Sequence, residues 1–128
     1  MSACTAITGC TAGLTCTNSS DQQCTTCTSG TYLVDDTADT CASCSGACAV
    51  GEYESAACSA TSDRVCTACT AITGCTAGLT CTTGSDQQCT TCTGGTYLVE
   101  GTADTCASCS GACGAGTYQS AACTATSD

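Results

Sequence analysis

A chain of 128 residues with 19 cysteines and no proline, histidine, tryptophan or phenylalanine does not bury an ordinary core of large apolar side chains. Its nominal hydrophobicity of 42% is mostly Ala and Cys, so covalent bridges must stabilise what burial does not. A formal net charge of -10, with Arg64 the sole cation, argues against nucleic acid and against membrane contact in this segment.

The first four cysteines follow the spacing Cys4-x5-Cys10-x5-Cys16-x7-Cys24, a short module over 4–24. Between Cys16 and Cys24 lies Asn18-Ser19-Ser20, an N-glycosylation sequon on a loop. A second, longer module runs over 27–66 with the spacing C-x13-C-x2-C-x3-C-x9-C-x7-C. Thr31-Tyr32-Leu33-Val34 is β-prone, flanked by Gly30 and by acidic turn residues, and is expected to be a strand. Val50-Gly51-Glu52-Tyr53 reads as a second short strand.

The chain then repeats itself at a period of 65 residues. Residues 3–63 and 68–128 differ at ten positions: 18, 19, 29, 35, 36, 49, 50, 52, 54 and 59 of the first copy. The expected domains are a first repeat over 1–65 and a second over 66–128, with a short module at 69–89 and a long module at 92–128 that is truncated. Cys66 is the tenth cysteine of the register. Its earlier equivalent falls at Met1, and its later one at position 131. We therefore expect a segment cut from a longer array, with no signal peptide or membrane span in the stretch at hand.

No segment has helical periodicity. The expected fold class is small and disulfide-rich, an elongated tandem array of cysteine-rich modules with short two-stranded β ribbons, little helix and a minimal hydrophobic core. Each bridge across a loop of about 15 residues is worth roughly 3 kcal/mol, and such bridges persist outside the cytosol. The four tyrosines, Tyr32, Tyr53, Tyr97 and Tyr118, supply amphipathic area to lie over disulfides.

Other chemistry weighs less. Five C-x-x-C pairs occur, and Cys24/Cys27 with Cys41/Cys44 match a zinc-ribbon spacing. The intervening cysteines, the lack of histidine and the lack of positive charge to balance thiolates favour bridges over a metal. Asp35, Asp36 and Asp39 share one loop and read as a solvated acidic turn rather than a calcium site. No catalytic constellation exists: there is no histidine or lysine to serve as a base, so neither an enzyme nor a cofactor is expected.

The 27–66 stretch resembles the cysteine-rich repeat of the tumour necrosis factor receptor family. The residues that carry the resemblance are Gly30-Thr31-Tyr32 after the first cysteine, the close trio Cys41, Cys44 and Cys48, Gly51-Glu52-Tyr53, and Asp63-Arg64-Val65-Cys66. The Thr/Ala/Ser/Cys bias is similar also to protist surface antigens. The receptor resemblance implies the pairs Cys27–Cys41, Cys44–Cys58 and Cys48–Cys66, then Cys92–Cys106 and Cys109–Cys123. By analogy, the short modules take Cys4–Cys16 and Cys10–Cys24, then Cys69–Cys81 and Cys75–Cys89. Cys113 is left unpaired or intermolecular.

The functional expectation is a non-enzymatic extracellular or cell-surface structural protein. Its tandem repeats would form a fibril, stalk or surface coat, with self-association and glycans, N-linked at Asn18, as partners. The alternative is a receptor-like ectodomain that binds a protein ligand.

Overall fold

A computed structural model describes all residues, 1–128. It contains no helix and ten short strands: β1 Cys10–Ala12, β2 Thr26–Cys27, β3 Thr31–Val34, β4 Thr40–Ser43, β5 Glu52–Ala56, β6 Val65–Ala68, β7 Cys75–Ala77, β8 Thr91–Cys92, β9 Thr96–Val99 and β10 Thr105–Ser108. They pair as five two-stranded ribbons, β1–β2, β3–β4, β5–β6, β7–β8 and β9–β10. An isolated ribbon of this length does not hold in water. Here bridges join the segments that the ladders pair.

The chain divides into two compact units. One comprises Met1–Ala47 and Glu54–Val65, the other Cys48–Tyr53 and Cys66–Asp128. In the first unit, β1 meets β2 antiparallel, with Cys10 opposite Cys27 and Ala12 opposite Thr26, and an irregularity between Cys10 and Ala12. A glycine is required in the turn that follows. Gly13 sits at φ +76°, and a Cβ there would stand 1.9 Å from the Thr25 hydroxyl, which itself donates to the Ala12 carbonyl at 3.0 Å. The β3–β4 ribbon then sets Tyr32 opposite Ala42 and Leu33 opposite Cys41. The second unit repeats both ribbons: β7–β8 has Cys75 opposite Cys92, and β9–β10 has Leu98 opposite Cys106.

Burial is slight and lies where sulfur is. The buried apolar side chains are Cys24, Cys69 and Cys89, and the buried polar ones are Asp39 and Asp104, both 4% exposed. The acidic turn therefore differs from the solvated one the sequence suggests. Asp39 points inward, and its carboxylate accepts the N–H of Cys24 at 2.9 Å and that of Asp36 at 3.2 Å. Its own N–H donates to the Gln22 carbonyl at 2.9 Å. Asp104 makes the same bonds with Cys89, Gly101 and Gln87. A buried carboxylate is tolerated because backbone donors replace its water. Each aspartate thus fastens a short module to the ribbon after it.

One strand begins later than its sequence suggests. Val50 and Gly51 form a turn, and β5 starts at Glu52. Gly51 takes φ +84°, which breaks an extended run, and the Glu52 N–H closes the turn on the Ala49 carbonyl at 3.0 Å. Val50 is left 94% exposed.

Candidate functional site

The chemistry of this chain is concentrated in its sulfur. Nine bridges are present: Cys4–Cys16, Cys10–Cys24, Cys27–Cys41, Cys44–Cys58, Cys48–Cys66, Cys69–Cys81, Cys75–Cys89, Cys92–Cys106 and Cys109–Cys123. Within the short modules the order is first with third and second with fourth. In 27–66 it is first with second, then third with fifth and fourth with sixth. Crossed pairs of this kind restrain two overlapping loops at once, which suits a chain with almost no core. Cys113 has no bridge and is exposed.

Four groups place cysteine sulfurs and carboxylates within metal-ligand reach, for example Cys24, Cys27 and Cys41, or Cys44, Cys58 and Asp63. Every sulfur in them belongs to a bridge, so none is a thiolate ready to ligate a metal. The third carboxylate of the acidic turn is likewise engaged, since both oxygens of Asp39 accept backbone N–H groups.

Other aspartates lock loops from the surface. Asp21 accepts the Thr17 and Asn18 N–H groups at 2.9 and 2.8 Å, and also the Thr17 hydroxyl. Those bonds, the Thr17 hydroxyl foremost, hold its carboxyl below the usual carboxylate value. Asp86 does the same with Thr82 and Thr83, and the Thr82 hydroxyl above all brings it down to about 2. Asp63 receives the Ser45 N–H at 2.7 Å and its hydroxyl at 2.5 Å, and Asp128 receives the same two groups of Ser110. Both carboxyls are lowered, chiefly by the serine hydroxyl. Arg64, the one cation, pairs with Glu54 and reaches the Ser45 carbonyl at 3.3 Å. That ion pair is partly exposed and contributes about 1 kcal/mol or less.

Asn18 lies on the exposed loop that Asp21 shapes. Its side-chain oxygen accepts the Ser20 N–H at 2.8 Å, so the sequon is presented in a tight turn. The corresponding Thr83-Gly84-Ser85 turn closes through the Thr83 hydroxyl at 3.2 Å.

The cysteine order and the ribbons meet in one comparison. The TNFR/NGFR cysteine-rich region matches this chain over residues 27–66 and again over 92–128. The chain belongs to that family. Within the TNFR/NGFR cysteine-rich region, the matched segments are the two long modules, and the short modules at 4–24 and 69–89 lie outside the match. No curated protein and no solved structure matches the chain. Cysteine-rich regions of this family are typically non-enzymatic, and such regions in a chain with nine bridges point to an extracellular setting.

Sequence reasoning placed Asp39 in a solvated turn and missed the buried role that it shares with Asp104. A signal was there: positions 35 and 36 change to Glu100 and Gly101 in the second repeat, whereas Asp39 returns as Asp104. It also left Tyr118 in the same role as Tyr53. Tyr53 is half-buried, and Tyr118 is 84% exposed.

Proposed function

We propose that this chain is a non-enzymatic structural segment of an extracellular fibril, stalk or cell-surface coat, built by repetition of one disulfide-stapled unit. The observation that carries the reading is the fidelity of the repeat. All ten differing positions are exposed, while every cysteine but Cys66, both buried aspartates and the turn-closing hydrogen bonds recur 65 residues apart. A polymer needs the same scaffold many times and tolerates drift on its surface. The exposed Asn18 turn suits an N-linked glycan, and the abundant exposed threonines suit O-linked sugars.

Electron microscopy of native material, with non-reducing peptide mapping, tests this. Uniform filaments or a continuous layer with bridged cysteines and a glycosylated Asn18 peptide are expected. Isolated chains, or cysteines carrying zinc instead of bridges, would overturn it. A second reading, a receptor-like ectodomain for a protein ligand, draws on the family membership and on the cluster of changes at 49, 50, 52 and 54 around exposed Val50. It predicts a saturable protein partner whose binding is lost on substituting Val50.

A further inference from the structure

A groove of about 290 Å³ lies in the first repeat between the loop at 6–8 and the start of β4. Its apolar lining includes Ala6 and Ile7, and its polar lining is Thr8, Gln22, Asp39 and Thr40. These polar groups differ from their neighbours in what they leave unbonded. Thr25, Thr28 and Thr31 each donate a hydroxyl to a backbone carbonyl, at 3.0, 2.9 and 2.6 Å. The hydroxyls of Thr8 and Thr40 donate to no group of the chain, and both residues are exposed. Gln23 spans its loop, its Nε2 donating to the Asp36 and Thr37 carbonyls at 3.2 and 3.0 Å. The adjacent Gln22 does the opposite: its Oε1 is shielded from solvent and has no hydrogen-bond partner. A shielded acceptor without a donor is unfavourable, and folded chains keep few of them.

The second repeat keeps the whole set. Ala71, Ile72, Thr73, Gln87, Asp104 and Thr105 stand at the equivalent positions, each buried to the same degree as its counterpart. The Gln87 Oε1 is again shielded and unpartnered, and the Thr73 and Thr105 hydroxyls are again unbonded. The neighbouring turn changes between repeats at 35 and 36, yet none of these six residues changes. A complete long module precedes the second set, so its exposure owes nothing to where the chain begins.

Two unbonded hydroxyls, an unpartnered carboxamide and a carboxylate with lone pairs left over offer both donors and acceptors. They stand beside two apolar side chains. A sugar ring answers that combination, with adjacent hydroxyls that donate and accept and C–H faces that tolerate Ala6 and Ile7. The net charge of -10 disfavours an anion, and a volume at the low end of ligand pockets, about 300 Å³, suits a single ring.

We infer that this groove binds one neutral hexopyranose ring, the end sugar of a glycan, and that the second repeat carries the same site. The Gln22 amide turns from its shielded position to meet two adjacent ring hydroxyls, so its oxygen gains the donor that the chain does not supply. Thr8 and Thr40 bond further hydroxyls, Asp39 accepts one, and Ala6 and Ile7 meet the C–H face. The site stands apart from the choice between array and receptor.

The test titrates the secreted, isotope-labelled chain with methyl α-mannoside, methyl β-galactoside and methyl N-acetyl-β-glucosaminide. At least one should move the amides of Ile7, Thr8, Gln22 and Thr40, with those of Ile72, Thr73, Gln87 and Thr105, to saturation at millimolar concentration. Gln22→Met, Thr8→Val and Thr40→Val remove groups that bond nothing in the fold, and mapping of the nine bridges verifies folding. Each should weaken the first site roughly tenfold, the worth of one hydrogen bond, and leave the second as an internal reference. Signals moved in the secreted chain before any sugar is added, and restored in Asn18→Gln, would assign the ligand to the chain's own N-linked glycan; signals unmoved until titration would assign it to a glycan from elsewhere. No site-specific movement with any of the three would leave the groove to water and overturn the inference. So would the same movement with n-butylammonium chloride at lower concentration, which would make the ligand a cation, or a first site indifferent to all three substitutions.

Discussion

Residues 48–69 and 113–128 begin alike and end differently. Both open with a cysteine, turn through a glycine in the left-handed region and present a tyrosine two residues later. The turn-closing hydrogen bond is present in both, at 3.0 and 3.1 Å. Yet only the first continues into a strand, β5, and only its tyrosine is half-buried. The local turn therefore survives the changes at 49, 50, 52 and 54. What the second region lacks is the ladder that β6 supplies and the Cys48–Cys66 bridge that brings β6 alongside. In a chain with so little apolar burial, a strand exists where a partner is delivered to it.

The strongest way to break this comparison is to remove the bridge from the first region. Cys48→Ser with Cys66→Ser should cost about 2–5 kcal/mol in denaturant unfolding. It should also raise the solvent exposure of Tyr53 toward that of Tyr118, read by tyrosine quenching, and speed hydrogen exchange at the Cys69 amide. Tyr53 staying shielded would mean that the turn, not the delivered partner, orders the region. A smaller effect is expected where the two regions' parent modules agree. Asp39→Ala leaves the buried Cys24 N–H without its acceptor and should destabilise by about 1–3 kcal/mol. Asp104→Ala should match it within the error of the melt, and a large disparity would show that the repeats are not energetically equivalent.

Acid provides a gentler probe. Asp86 titrates at about 2 in the folded chain, against an ordinary value of 3.8. A folded value below the unfolded one means that the loop bonds stabilise fully above 3.8 and are lost as pH falls through about 2. Asp21, Asp63 and Asp128 shift in the same direction. The amides of Thr17, Ser45, Thr82 and Ser110 should therefore shift in NMR spectra with midpoints below pH 3.8. Movement centred at 3.8 or higher would contradict the clasps. The smallest effect is a null one: Ala115→Val, Thr117→Glu and Gln119→Glu restore first-repeat residues in the second repeat. Tyr118 should stay exposed, and a newly protected strand at 117–121 would assign β5 to its own sequence after all.

Much of the fold was legible because its signals are local or periodic. Thr31–Val34 and Thr96–Val99 are strands where β-prone residues stand between glycine and acidic turns. The 65-residue register and the scarcity of large apolar residues already called for bridges and short ribbons. Spacing alone leaves cysteine connectivity open, so the pairing entered through the family resemblance. Val50 was less legible. A β-branched residue beside a glycine suggests a strand, but the positive φ of Gly51 turns the chain first and delays β5 to Glu52. The aspartate clasps were hidden because an acidic residue in a loop looks the same in sequence whether water or backbone N–H groups surround it.

The amino-acid sequence by itself determined a repeated, bridge-dependent, acidic scaffold with strands only a few residues long. Those properties follow from composition and period, which no folding step alters. The tertiary structure decided which aspartates turn inward, where β5 begins and why two equivalent tyrosines live in different surroundings. Each of these depends on a group from elsewhere in the chain: the Cys24 N–H for Asp39, the strand after Arg64 for Tyr53. A carboxylate or a phenol is placed by the partners that satisfy it, and those partners meet only once the chain has folded.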